Sequence, residues 1–167
     1  MARPTRVMFF CLGNICRSPL AHGLFEAEVQ RRGEASRWEI DSSGTGAYHV
    51  GEAPDPGSQR VARRHGLDIS HQRAQHLTAA HLEEFDWLVA MSQSNLRDAL
   101  RLAGADRFKD RLLLLRGFDP QAQRGQQLDV PDPWGHDERA FLDVYQIIER
   151  CMSPLFLALT LMNTGQT

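Results

Sequence analysis

The sequence predicts an α/β fold, a four-stranded parallel sheet with helices on both faces. Three observations carry this expectation. Four short apolar runs, around "RVMFFC", "RWEIDSS", "DWLVAM" and "RLLLLRG", alternate with longer stretches of helical pattern. Serine, glycine and proline stand where one pattern gives way to the other. The last stretch places Phe141, Val144, Tyr145, Ile148, Cys151, Met152, Leu155 and Leu159 at the spacing of a single helix face.

Taken in order, Arg6 to Cys11 reads as the first buried strand. A helix follows from Pro19 to about Gly33, with Ser18 as its N-cap and Pro19 in its first position. "RWEIDSSGTG" alternates apolar and polar residues as a second strand, then enters the Gly- and Pro-rich loop "GTGAYHVGEAPDPG". Asp55 or Pro56 to His65 has helical character and stops at Gly66, and Thr78 caps a short helix, "AAHLEEF". "DWLVAM" is the third strand, a helix spans about Ser92 to Leu102, and "RLLLLRG" is the fourth strand. The long loop "GFDPQAQRGQQLDVPDPWGHDE" leads to the terminal helix, where Pro154 removes one backbone bond and is expected to introduce a kink.

The chain of 167 residues is read as a single domain, 1–167, large enough to bury a core without covalent staples. Its 42% hydrophobic and 24% charged content is that of a soluble protein, and a net charge of -2 offers no basic excess for a nucleic-acid partner. No apolar run approaches the roughly 20 residues of a membrane span. The start "MARPTRVMFFCLG" lacks the cleavage site of a signal peptide. A cytoplasmic location and no membrane partner are therefore expected. In that compartment three cysteines favour free or catalytic thiols over a disulfide framework.

In such a sheet, ligands sit beyond the carboxyl ends of the strands. The first strand-to-helix loop there is "CLGNICR", with Cys11 and Arg17 five residues apart in between. A loop wrapped over a helix N-terminus turns its amides inward as an anion-binding nest, so this is read as a phosphate-binding loop. Arg17 adds a two-pronged clamp that lysine could not reproduce. These same groups would lower the pKa of Cys11 and place a thiolate at the floor of the cradle, with Ser18 able to hydrogen-bond it. The competing reading is that Cys11 is a small buried hydrophobe. A thiolate displacing an alkoxide or phenoxide needs a proton donor, and Asp129, Asp132 and Asp137 lie in the later loop. Asp132 is chosen because Pro133 restrains the backbone around it, although Asp-Pro is also a common turn pair.

"CLGNICRSP" near the start and "DPWG" before the terminal helix, with "DSSGTGAYHVG" and "LDISHQRAQHL" between them, resemble the low-molecular-weight protein tyrosine phosphatases. The likeness runs in order over nearly the whole chain. It implies a four-stranded parallel sheet, Cys11 as nucleophile, Arg17 as phosphate-binding arginine and Asp132 as general acid. Leu12, Gly13, Asn14, Ile15, Cys16 and Ser18 would form the substrate cradle. Asn14, Ser18, Ser42 and His71 fall where the family has a network supporting that loop, and Tyr48 and Trp134 fall on two aromatic walls. The substrate implied is a tyrosine-phosphorylated protein, the product inorganic phosphate, and no cofactor or metal is expected. Relatives that hydrolyse phosphoarginine have threonine where this loop has Ile15. Cys16 is expected to form a reversible disulfide with an oxidised Cys11.

Three departures stand out. Trp134-Gly135 occupies the place of two tyrosines, which excludes regulation by phosphorylating that pair. Ser92 replaces a frequent acidic residue, and His49 lies at a variable position on the rim. Two other activities compete with hydrolysis: arsenate reduction, which would need cysteines beyond Cys151, and phosphoprotein binding or thiol sensing, which would need no acid.

Overall fold

The computed structural model describes residues 2–102, 104–122 and 128–165. Strands β1 (Thr5–Cys11), β2 (Trp38–Gly44), β3 (Trp87–Ala90) and β4 (Leu112–Leu114) form one all-parallel sheet in the order β2-β1-β3-β4. The α-helices among the described residues are α1 (Arg17–Arg31), α2 (Pro56–Arg64), α3 (Ala79–Glu84), α4 (Gln93–Leu100) and α5 (Glu138–Thr164).

β1 explains why the sheet is covered on both sides. Its apolar run has side chains pointing alternately to two cores. Val7, Phe9 and Cys11 join the cluster built with α1, α2 and α5. Met8 and Phe10 join the one built with α3 and α4. The chain leaves β1 towards β2 on one side and later enters β3 on the other. That reversal opens a crevice beyond the carboxyl ends of β1 and β3, where Cys11 emerges opposite Gly44 and Phe10 pairs with Ala90.

Several boundaries differ from the sequence reading. α1 starts at Arg17 with Cys16 in the capping position, so Ser18 is not the N-cap and Pro19 is the third helical residue. The hydroxyl of Ser18 is engaged elsewhere, as described below. The fourth strand shrinks to Leu112–Leu114 because Leu115–Phe118 turns into a 3-10 helix, and a second 3-10 segment spans Ala105–Arg111. α5 continues unbroken through Pro154. Its last turn is tied to the sheet by Asn163, which accepts from Trp87 Nε1 at 3.0 Å and donates to Thr5 Oγ1 at 3.0 Å. No helix among the described residues is long and apolar enough to cross a membrane.

Candidate active site

The segment between β1 and α1 is held by its carbonyl groups. Thr45 and Gly46 amides donate to the carbonyls of Cys11 and Leu12 (2.8 and 2.9 Å), Asp55 N donates to Ile15 O (2.8 Å) and Ser58 Oγ to Cys16 O (3.0 Å). With the carbonyls drawn outward, the loop amides turn to the inside, the arrangement an anion needs. Asn14 makes the curve possible. It adopts a left-handed backbone with φ 57°, which asparagine tolerates better than other non-glycine residues. Gly44 permits it from the neighbouring strand: a Cβ there would lie 2.6 Å from Leu12 O and 3.1 Å from Asn14 N.

Side chains then lock the loop. Asn14 Oδ1 accepts from Gln75 N at 2.9 Å, and its Nδ2 donates to Ser18 Oγ at 2.8 Å and to Ser42 Oγ at 3.0 Å. Ser18 Oγ sits 3.1 Å from Cys11 Sγ. Asn14, Ser18 and Ser42 are buried, so each of these bonds takes the place of water.

Arg17 is buried with its guanidinium fixed at one end. Nη1 donates to Val130 O at 3.1 Å and Nη2 lies 3.8 Å from Asp132 Oδ2, while Nε has no partner among the described residues. Nε and Nη2 form the edge that grips two oxygens of one phosphate group. The Val130 bond also docks the loop that carries Asp132. That loop is held further by Val130 N to Met91 O (2.8 Å) and by Arg116 Nη1 to Asp129 O (2.9 Å). Asp132 Oδ1 accepts from Trp134 N at 3.1 Å, and the carboxylate is half exposed. Asp129 instead turns its Oδ1 to Gln93 N at 2.8 Å, and Asp137 caps α5 through Ala140 N at 3.1 Å. Of the three aspartates, Asp132 is the one lining the pocket with Cys11 and Arg17.

The pocket floor is Cys11, Gly13, Cys16 and Arg17. Ile15 and Leu12 form apolar wall, and Tyr48, His49 and Trp134 form the rim. His49 Nδ1 meets Glu52 Oε2 at 2.6 Å and its ring rests against Gly13. The cavity is thus a polar, cation-lined base beneath an aromatic mouth, shaped for an anionic group carried on a flat apolar ring.

Residues 6–164 match the family model of the low molecular weight phosphotyrosine protein phosphatase. The chain belongs to that family. It is 38% identical over 153 residues to a low molecular weight protein-tyrosine-phosphatase of Streptomyces coelicolor, covering 92% of each chain. It is also 38% identical over 146 residues to the human low molecular weight phosphotyrosine protein phosphatase, covering 87% of this chain and 89% of the relative. Among solved structures it is similar to a protein tyrosine phosphatase from Entamoeba histolytica, with a TM-score of 0.87 at 26% identity, covering 95% of this chain and 99% of that one.

Within the phosphatase site, the geometry brings together Cys11, Leu12, Gly13, Ile15, Cys16, Arg17, Tyr48, Asp132 and Trp134, and ties Asn14, Ser18 and Ser42 beneath them. His71 is a correction. It is exposed, beside Asp68 and Gln72, and the imidazole that faces Ser42 Oγ belongs to His22, at 3.4 Å. The reason is register: Ser42 in β2 faces α1, while His71 lies on the far side of Glu26 in a surface groove. Ser92, in place of the expected acid, caps α4 by accepting from Asn95 N at 3.1 Å. Gly44 and Gln75 were missed. Gly44 had a signal, a "GTG" closing the second strand, but nothing in "HQRAQHL" marks Gln75 as touching the loop.

The remaining thiols are quiet. Burial, with the charges of Asp55, Cys11 and Asp132, pushes the Cys16 thiol well above its ordinary value, against the pull of Arg17. Burial likewise pushes Cys151, inside the core, up to about 12. Among the described residues no group of three or more His, Cys, Asp or Glu side chains converges to hold a metal ion.

Proposed function

We propose that this chain hydrolyses protein phosphotyrosine and small aryl phosphates through a cysteinyl-phosphate intermediate. The observation that carries this reading is the convergence of Cys11 Sγ, the unpartnered Nε edge of Arg17 and the half-exposed carboxyl of Asp132 on one pocket with an aromatic rim. In the first step the Cys11 thiolate attacks phosphorus while the bond from phosphorus to the phenolic oxygen breaks. Asp132 enters this step as the acid and gives its proton to that oxygen. In the second step Asp132, now a carboxylate, takes a proton from water as its oxygen attacks the phosphocysteine. The S–P bond breaks, the thiolate is restored, and inorganic phosphate leaves. Arg17 and the inward amides hold the three non-bridging oxygens in both steps. Nothing in this sequence of bonds requires a metal or cofactor.

The apolar wall supports an aryl group over a guanidinium. Ile15 is 8% exposed and lines the pocket, so a phosphoarginine side chain would leave N–H groups facing a hydrocarbon, a loss of about 1–3 kcal/mol per desolvated donor. Phosphoserine is too short to reach the floor without drawing peptide backbone into the mouth.

Cys11→Ser tests the nucleophile. It should abolish turnover while still binding phosphate or vanadate, and rapid quenching of the unaltered protein should trap phosphate on cysteine. Activity retained in Cys11→Ser would refute the mechanism. Side-by-side kinetics on the three phosphoamino acids test the substrate: phosphotyrosine should lead, and Ile15→Thr should raise the ratio of phosphoarginine to phosphotyrosine turnover.

A further inference from the structure

The hydroxyl of Ser42 is approached from two sides. Asn14 Nδ2 donates to its oxygen, and His22 Nδ1 of α1 stands 3.4 Å from it. Ser42 is 4% exposed, so water is a poor alternative partner. One arrangement of protons serves every atom. Ser42 Oγ accepts from Asn14 and gives its own hydrogen to His22 Nδ1, which is then the unprotonated ring nitrogen. His22 Nε2 carries the ring hydrogen and donates it to Glu26 Oε1, one turn further along α1. The other hydrogen of the Asn14 amide goes to Ser18 Oγ, which leaves the Ser18 hydrogen for Cys11 Sγ or Ser43 O.

We propose that His22, oriented by Glu26, is a positioning residue for the nucleophile. Its role follows from what Ser18 would otherwise do. The Ser18 hydroxyl has two acceptors within reach, Cys11 Sγ at 3.1 Å and Ser43 O at 3.4 Å. Asn14 decides between them by where it places its own donor, and Asn14 is held in its left-handed conformation partly by Ser42. Without His22 the Ser42 hydrogen is a buried donor with nothing to receive it. The hydroxyl is then free to rotate, which loosens the acceptor it offers to Asn14 Nδ2, and the hydroxyl on the sulfur is no longer fixed. The charged group against the imidazole is Glu26 on its own helix, while Asp41 of β2 follows the alternation to the opposite face of the sheet, towards His81. Asp68 and His71 lie beyond Glu26 across the surface groove. This role presupposes Cys11 as the reacting group, the reading argued above.

The test pairs phenyl phosphate kinetics with alkylation of Cys11 by iodoacetate, followed by mass spectrometry at that cysteine. His22→Ala should lower kcat/KM about tenfold, the low end of the loss seen when the outer partner of a functional group is removed, with the inhibition constant for inorganic phosphate moving less than about twofold. Alkylation of Cys11 should change by a similar factor. His22→Asn keeps an acceptor at the position of Nδ1 and should recover most of the loss, although it cannot reach Glu26. Adding His22→Ala to Ser42→Ala should cost nothing further, because both act through one chain of bonds. Wild-type behaviour of His22→Ala in both assays would overturn the proposal. So would a loss that His22→Asn fails to relieve, since that marks a packing role. Alkylation is read on the sulfur itself, so it reports on the network even if turnover runs through another group. An error in the nucleophile reading shows separately, as activity in Cys11→Ser.

Discussion

The two loops that meet at the pocket are built in opposite ways. The segment from Cys11 to Ser18 is buried except at Leu12 and Gly13, and its polar side chains as well as its carbonyls are fixed by partners. The loop around Asp132 is fixed through its backbone at Asp129 and Val130, while the carboxylate itself stands half in solvent. The contrast fits the two tasks. A nucleophile meets one atom in one direction, and any freedom costs it rate. An acid that gives a proton to a leaving group and then takes one from water needs a fixed root and an accessible tip.

Asp132→Ala breaks the comparison on the acid side and should have the largest graded effect. The loss should reach about 10²–10⁴ for phenyl phosphate and be much smaller for a phosphate ester of an acidic phenol, which leaves without help. Equal losses for the two esters would make Asp132 a mere placer of Arg17, and a larger loss in Asp129→Ala would move the assignment.

The anchor of the acid loop lies further back. Asp119, with its side chain fully buried, accepts from Arg116 Nε at 3.0 Å and from Arg150 Nε and Nη2 at 2.8 and 3.0 Å. Arg116 in turn holds Asp129 O. Burial alone would push the Asp119 carboxyl up, but hydrogen bonds from Arg150, the Gln121 amide and Arg116 outweigh it and hold the group below its ordinary value. Asp119→Asn strands two arginines and should cost about 3 kcal/mol near neutral pH. A depressed carboxyl stabilises the fold above its unfolded value and loses that contribution as pH falls through the folded one. The gap in stability between the two proteins should therefore narrow below about pH 4, measured by urea unfolding across pH. A gap that stays constant into acid would mean that the charge of Asp119 contributes nothing.

The smallest effect sharpens the comparison on the nucleophile side. Peroxide should inactivate reversibly through a Cys11–Cys16 bond, and Cys16→Ser should make the loss irreversible. The raised Cys16 thiol has little thiolate at neutral pH, so bridge formation should be slow and quicken as pH rises. Mass spectrometry that finds overoxidised Cys11 and never a bridge would remove this role.

Much of this was legible in the sequence because it depended on short-range pattern. The apolar run of β1, the Cys11 to Arg17 spacing and the Pro-restrained Asp132 are all local signals. What was not legible depended on register between distant segments. His22 reads as a polar residue on a surface helix until β2 sets Ser42 against it. Ser18 reads as a helix cap because serine usually is one, but here its hydroxyl is drawn to the sulfur and α1 begins without a side-chain cap. The 3-10 segment Ala105–Arg111 escaped because its short bonds leave no 3.6-residue pattern to find.

The outward carbonyls of the phosphate loop have one more consequence. Thr45, Gly46 and Asp55 belong to a connection with little regular structure, yet their amides are bonded to Cys11, Leu12 and Ile15, while Gly44 N and O bind Gln75 and Leu77. That connection cannot lift away by itself, because opening it strips the bonds that shape the loop at the end of the central strand. In terms of local unfolding, opening the connection at those residues and opening the phosphate loop are one event and not two. The cysteine at its base is buried, so a ligand slim enough to come through the aromatic mouth reaches it while these bonded segments stay closed, and a bulky reagent waits for them to open together.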